Sequence, residues 1–567
     1  MARASHEIPV PKLLASSVTG TTLLIMIQLA SRVFTFATNQ LILREISPKT
    51  LGIAAQLELY LASVLYFSRE SIRTAIQRQP SESFATATKR EESSEYNKSN
   101  SVQAQSGTLQ SVVNISYLCL GIGIPLALTF ASFYSHLAPK EVSELPFFQI
   151  SLITTGIASI LELGVEPFFA VVQQCMLYRT RAVVEMSAAF LKALSLCSIS
   201  IWAAWAGYDL GVLPFALSYL SYSLALLCGY AITMLDMARK NYFSFLLTPI
   251  RPSGGPNYVA DRFSFRLMSL SATVFFQTVV KHILTQGDSL MLAAMSSLED
   301  QGIYSLASNY GGLIARVFFQ PIEESSRNLF STVLAYNEIN NQNADCINMA
   351  KSHLVDVLQA YGILSIIVFP LGPVIVPLAL RFWGTHRWNS PKVEGLLSLY
   401  CYYVPFLAFN GIAEAFVSSA ATPSELRSQA GWMGGFSACF ALAAYVFLKL
   451  GDLGAQGLVL ANIVNMGVRI LWSYFFIKSY FGRHKNHLGL ADVSLHLCSY
   501  LAGVVTTSVL SSKRVYVATN LHSTIGIFIA GVAYILLILY FERRYITKQY
   551  SNIRRLFHSK VASRKVE

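Results

Sequence analysis

Charge is what this sequence has least of: Asp, Glu, Lys and Arg make up 13% of 567 residues, against 53% hydrophobic ones. A soluble domain of ordinary composition carries about 25% charged residues. A water-facing globule is therefore excluded, and a polytopic membrane protein is the reading that remains; the mean hydropathy of +0.46 agrees. Cysteine is sparse too. Cys119, Cys175, Cys197, Cys228, Cys346, Cys401, Cys439 and Cys498 stand singly, mostly inside apolar runs. They show neither the paired spacing of a zinc site nor the density of a disulfide framework, and read as small buried hydrophobes. Also missing are the patterns G-x-x-x-x-G-K-[ST], G-x-S-x-G and H-E-x-x-H, and with them direct ATP coupling and two hydrolase chemistries. The luminal loops expected below are short, the longest being 379–394. The chain is therefore not read as an enzyme, and no catalytic residue, metal ligand or cofactor is assigned.

What is present in quantity is membrane-length apolar sequence. A helix needs about 20 apolar residues to cross the hydrocarbon, and about fourteen candidates occur. They lie near 15–43, 50–76, 109–133, 146–176, 181–206, 212–238, 269–296, 301–333, 350–378, 395–421, 426–450, 454–480, 489–511 and 518–542. The first is too long for a signal-peptide core and reads as a retained span. The net charge of +12 comes mostly from loops 77–108 and 239–268 and from the C-terminal tail. That placement follows the positive-inside rule, with roughly 27 basic residues on one side against 8 on the other. It puts both termini in the cytosol and argues against a nucleic-acid partner. Loop 77–108, rich in Ser, Gln and Glu, is expected to be disordered. It holds the sequon Asn97-Lys98-Ser99; a second, Asn114-Ile115-Ser116, falls inside a span.

The chain also repeats itself. The breaks Ser47-Pro48-Lys49-Thr50-Leu51-Gly52-Ile53 and Ser297-Leu298-Glu299-Asp300-Gln301-Gly302-Ile303 each precede a helix carrying buried arginine. Glu166-Pro167-Phe168 is matched by Glu414-Ala415-Phe416, and Leu210-Gly211 by Leu453-Gly454. Spans 1–6 thus map onto 7–12 in order. The predicted fold is all-α and polytopic: two parallel six-helix lobes around a central cavity, plus two extra C-terminal helices. The lobes are 1–240 and 269–480, joined by a cytosolic linker 241–268. They are followed by spans 13 and 14 in 481–542 and a basic tail 543–567.

Placing Arg, Lys or Asp at the centre of a span costs about 2.5–3.5 kcal/mol on insertion scales, and this chain does so repeatedly. Arg32 and Arg44 lie in span one, Arg69 and Arg73 one turn apart in span two, Arg316 in span eight and Arg469 in span twelve. Glu162 and Glu166 share a face of span four, as Glu185 and Lys192 do of span five; Lys281 and Asp288 line span seven. Glu323 and Glu324 follow Pro321, and Glu414 stacks on Asn410. Arg73 and Arg327 fit topology anchors that snorkel to the interface, and Arg32 fits a packing ion pair. Arg44, Arg69, Arg316 and Arg469, joined by Arg32, are the candidate binding cations, because guanidinium is the preferred fork for phosphate oxygens. Glu166, Glu414, Asp288, Lys281, Glu323 and Glu324 are candidates for switching or charge balance.

Several runs resemble the Rft family of the multidrug/oligosaccharidyl-lipid/polysaccharide exporter superfamily. They are Phe67-Ser68-Arg69-Glu70, Gly164-Val165-Glu166-Pro167-Phe168, Ile283-Leu284-Thr285-Gln286-Gly287-Asp288 and Asp300-Gln301-Gly302-Ile303-Tyr304. Ala315-Arg316-Val317-Phe318-Phe319-Gln320-Pro321-Ile322-Glu323-Glu324-Ser325 and Asn465-Met466-Gly467-Val468-Arg469-Ile470 complete the set. One position departs from the pattern: Gln286 stands where the family is expected to carry an acid. The resemblance implies fourteen helices in two lobes in the endoplasmic reticulum membrane and a part in protein N-glycosylation. Its expected partners are membrane lipids and a dolichol-diphosphate oligosaccharide, Man5GlcNAc2-diphosphate-dolichol, carried from the cytosolic to the luminal leaflet. An accessory glycolipid-binding protein and an ion-coupled small-molecule antiporter stay open beside the flippase.

Overall fold

The computed structural model describes residues 38, 40–77, 95–138, 140–175, 177–240, 244–250, 258–339, 344–383, 388, 390–513 and 521–551. It divides into two compact units, Met1–Ala293 and Ala294–Glu567. Each breaks and restarts its helices by the same local chemistry.

In the first unit, helix α1 (Pro48–Gln77) begins where the Ser47 hydroxyl accepts from the Thr50 N–H at 3.1 Å, covering one of the four orphan donors of a helix start. Then come α2 (Glu95–Leu137), α3 (Phe148–Leu163), α4 (Glu166–Gln174), α5 (Tyr178–Ala206) and α6 (Leu213–Lys240). Span four is broken between α3 and α4 at Gly164-Val165, with Pro167 seated in the first turn of α4, where its missing N–H costs nothing. Val165, Phe169, Val171, Val172, Val184, Leu226 and Tyr230 form the core between α2, α4, α5 and α6.

The expected linker 241–268 is not a free connection. Gln110, Asn114 and Tyr117 lie on one face of α2 at helical spacing, and together they hold residues 244–248 and Arg262. The Asn114 carboxamide donates to the Thr248 and Arg262 carbonyls at 2.8 Å each. Gln110 donates to the Leu246 carbonyl at 3.0 Å and accepts from the Ser244 N–H at 2.9 Å, while the Tyr117 hydroxyl donates to the Phe245 carbonyl at 2.7 Å. Two short antiparallel strands, β1 (Tyr258–Val259) and β2 (Phe263–Ser264), close the segment. The next helix, α7 (Phe265–Met295), bends by 57° between Ile283 and Gln286 and sits almost wholly in the first unit.

The second unit opens on α8 (Leu298–Ile314), capped by the Ser297 hydroxyl accepting from the Asp300 N–H at 3.2 Å, the counterpart of Ser47. A π-helical turn, Ala315–Phe319, joins α8 to α9 (Gln320–Ile339). Pro321 cannot donate to the carbonyl four residues back, and the turn takes up an extra residue just before it. Then follow α10 (Ala344–Trp383), α11 (Pro391–Ala420), α12 (Pro423–Tyr445), α13 (Gly454–Arg483), α14 (Leu497–Lys513) and α15 (Leu521–Phe541). The added helices α14 and α15 pack on α10 through Ile366, Leu371, Val374, Leu510, Ile527, Tyr534 and Ile538. Gly211 and Gly454, paired in the repeat, are both left-handed (φ +54° and +52°), and a Cβ on either would meet an oxygen, of Pro146 or of Asp300, at 2.9 Å. Gly311 lets α8 touch α11, since an added Cβ would lie 2.1 Å from a Tyr400 ring carbon. Gly311→Ala is accordingly expected to lose about 1–3 kcal/mol by overpacking, read as a lowered thermal midpoint of the detergent-purified protein.

Among the described residues nine helices are long and apolar enough to cross a membrane, or eleven if each of two bent pairs is one span. This is fewer than the expected fourteen, and the three expected spans that the criterion does not count are span one, span eight and span thirteen. Span one, with Arg32, lies almost entirely outside the described residues. Span eight is the α8–π–α9 rod, which is not among the helices that qualify. Span thirteen is the short α14. Large apolar side chains face outward, Trp205 being 89% exposed, as a lipid solvent permits and water does not. One expectation needs correction. Residues 95–108, predicted disordered with the rest of 77–108, begin helix α2, because extending a helix that the apolar span has already nucleated is cheap; 78–94 lie outside the described residues. Of the predicted basic tail, 543–551 is a helix bent by 69° from α15, held by Lys548 to Asp356 at 2.8 Å.

Candidate functional site

Each unit concentrates its intramembrane charge around one carboxylate, and the two carboxylates are the pair matched in the repeat, Glu166 and Glu414. In the first unit, Arg69 and Arg73 stand one turn apart on α1 and face the break between α3 and α4. Arg73 forks Glu166, Nε to Oε2 at 2.8 Å and Nη2 to Oε1 at 2.5 Å. Arg69 Nη1 donates to Glu162 Oε1 at 2.7 Å and reaches Glu166 Oε1 at 3.5 Å. The Glu166 side chain is only 2% exposed and sits in the first turn of α4, where the helix dipole also favours an anion. Two guanidinium groups meet two carboxylates, so the cluster is neutral as a whole. Phe169, one turn into α4, lies under both Arg73 (3.8 Å) and Arg181 (4.9 Å). Arg181 in turn binds Glu185 at 2.9 Å.

The second unit reaches the same neutrality from different helices. Arg469 on α13 donates through Nε to Glu414 Oε1 on α11 at 3.1 Å, with a second, shorter bond from Nη2. Glu323 on α9 accepts from Arg327, one turn on, at 2.7 Å. Its other oxygen rests against the bare backbone of Gly411 on α11, 2.9 Å from where a Cβ would be. On the neighbouring residue, the Asn410 carboxamide oxygen is buried without a hydrogen-bond partner among the described residues. Gln320 donates to the exposed Glu324 at 2.7 Å.

Arg69 and Arg469, expected as open cations for phosphate, are therefore each engaged by carboxylates of their own unit. An unpaired guanidinium inside a span costs several kcal/mol, and the chain supplies the counter-charge. Arg73, read as an interface anchor, is the better-bonded partner of Glu166, so that glutamate is an ion-pair acceptor at the helix break. Arg44 is exposed in the turn after residues 40–43 and makes no ion pair among the described residues. Arg316 falls in the π-helical turn; its side chain, like all of Arg32, is outside what the structure describes. Lys281 is exposed and Asp288 half-buried, Asp288 accepting from the Ser289 N–H at 2.8 Å. Between them and α1 stands a contact that sequence reasoning missed. The buried His282 of α7 meets the Ser63 hydroxyl at 3.1 Å and packs on the rings of Tyr66 and Phe67 at 4.6 and 4.7 Å. The one available signal was its place beside Lys281 in an otherwise apolar span.

With this geometry in hand, comparison with known proteins is direct. The sequence matches the family model described as Rft protein over residues 16–552. It is 34% identical over 511 residues to the Man(5)GlcNAc(2)-PP-dolichol translocation protein RFT1 of Yarrowia lipolytica, covering 84% of this chain and 73% of that one. The Saccharomyces cerevisiae protein of the same name is 32% identical over 502 residues, covering 85% and 86%. That of Xenopus tropicalis is 27% identical over 495 residues, covering 85% and 86%. Among solved structures, the lipid II flippase MurJ in an inward closed conformation superposes with a TM-score of 0.60 at 14% identity, over 93% of this chain and all of that one. An inward-facing multidrug resistance MATE family transporter of the MOP superfamily gives 0.52 at 13% identity, over 79% and 95%. At such identities the likeness establishes the fold, a helical one shared with membrane transporters.

Proposed function

The chain belongs to the Rft protein family, and on that premise we propose that it moves Man(5)GlcNAc(2)-PP-dolichol across the endoplasmic reticulum membrane. Relatives at 32–34% identity carry that lipid in their names as translocation proteins. Transfer runs from the cytosolic to the luminal leaflet in support of N-glycosylation, with both termini cytosolic and no chemical step on the substrate. The observation that carries the reading is the pairing of Arg69, Arg73 and Arg469 with Glu162, Glu166 and Glu414. A guanidinium held by a carboxylate fork is already oriented for the phosphate oxygens that fit the same fork. A diphosphate that displaces the carboxylate takes over its charged contacts and leaves the carboxylate unpaired, and the drive to re-pair favours departure of the lipid. Glu166 and Glu414 keep the arginines in place while the site is empty.

The test is reconstitution of the pure protein into vesicles with the glycolipid labelled in one leaflet, followed by its appearance in the other. Transfer well above protein-free vesicles is expected. Saturable binding without transfer would assign the chain to glycolipid carriage in place of translocation.

A further inference from the structure

Among the described residues, one cation lies midway along a span with no carboxylate paired to it. Lys192 lies midway along α5 and is half-buried. The acid that shares its face, Glu185, is bound by Arg181 at 2.9 Å. Glu162 and Glu166 are occupied by Arg69 and Arg73, and Glu58 of α1 is exposed and makes no ion pair among the described residues. The Lys192 ammonium rests instead over two aromatic faces of α6, 4.7 Å from the ring centre of Tyr219 and 5.9 Å from that of Tyr222. Among the described residues its side chain has no ion pair or hydrogen bond. Cation–π contacts stabilise an ammonium by less than the cost of taking a charge out of water toward a bilayer centre. They hold the stem in place and leave the three N–H donors free. Tyr222 also lies close enough to Glu162, Arg69 and Arg73 to interact with their charges. The ammonium and the neutral arginine cluster thus belong to one stretch of the first unit.

We propose that Lys192 is a binding residue for the phosphate of an anionic lipid, and that it discriminates a diphosphate linkage from a monophosphate. This rests on the glycolipid reading and sharpens it. Because Arg69 and Arg73 are already paired with carboxylates before substrate arrives, the ammonium attracts a dianion without first giving up an ion-pair partner. Arg69 then exchanges its carboxylate for the second phosphate. A compact, strongly hydrated point charge suits a first contact, whereas the guanidinium fork suits the final clamp.

The probes are two short-chain polyprenyl glycolipids carrying the same chitobiose head, one through a diphosphate and one through a monophosphate. Their affinity is measured for the full-length protein in nanodiscs, beside K192Q, K192M and K192R. The assignment predicts that K192Q binds the diphosphate at least tenfold more weakly, that the monophosphate loses clearly less, and that K192R recovers most of the difference. K192M, easier than a charged residue to insert into a bilayer, provides the same reading if K192Q does not fold. A packing role would lower the thermal midpoint and weaken both lipids alike, which overturns the assignment, as does diphosphate affinity unchanged in K192Q or K192M. If the unsubstituted protein binds neither lipid, the glycolipid reading itself falls and the Lys192 assignment with it.

Discussion

Glu166→Gln is expected to destabilise the first unit by about 3–5 kcal/mol, the cost of removing one partner from a buried ion pair. The side chain keeps its shape and loses its charge. Arg73 then has a carboxamide where it forked two carboxylate oxygens at 2.8 and 2.5 Å. Arg69 keeps Glu162, and the cluster as a whole acquires an uncompensated positive charge beneath the break between α3 and α4. The measurement is the thermal midpoint and monodisperse yield of the purified protein. Adding Arg73→Met to the same chain removes the orphaned charge and is expected to recover more than half of the loss, the non-additivity of partners in direct contact. A Glu166→Gln protein as stable as the parent would show that Arg73 does not depend on that carboxylate.

The second large effect is functional. Arg469→Glu puts a carboxylate against Glu414, and glycolipid transfer in the vesicle assay is expected to fall at least tenfold. A loss alone does not separate a binding guanidinium from a structural one, so the informative protein is the swap Glu414→Arg with Arg469→Glu. It restores opposite charges between α11 and α13 and should restore the thermal midpoint. Transfer should stay low, because the guanidinium is then offered from the other helix and its fork geometry toward phosphate is lost. Full recovery of transfer by the swap would make the pair a structural tie and move the diphosphate contact elsewhere.

Much of the architecture could be read along the chain because its landmarks are local. A serine three residues before Thr50 or Asp300 is a helix cap wherever it occurs, and glycine at Leu210-Gly211 and Leu453-Gly454 marks a left-handed start. Such features need no knowledge of what lies across the fold. The site was legible only as a set of residue types. One-turn spacing put Arg69 and Arg73 on a common face, and Glu162 and Glu166 on another, but nothing local says that these two faces meet. Since the partners are separated by more than ninety positions, each arginine looked open. Lys192 was grouped with Glu185 by a spacing of seven; the acid instead took Arg181 at four, the nearer neighbour on a helix surface. Segment 241–268 looked like a linker because the three side chains that hold residues 244–248 and Arg262 are on α2, far earlier in the chain.

Those three side chains bear on how the protein matures. Transfer of a glycan to Asn114-Ile115-Ser116 needs the asparagine amide nitrogen, and that nitrogen is wholly committed to the Thr248 and Arg262 carbonyls. Modification there would require the surrounding backbone to open first, so the contacts that fasten residues 244–248 and Arg262 to α2 also seal this sequon within the fold.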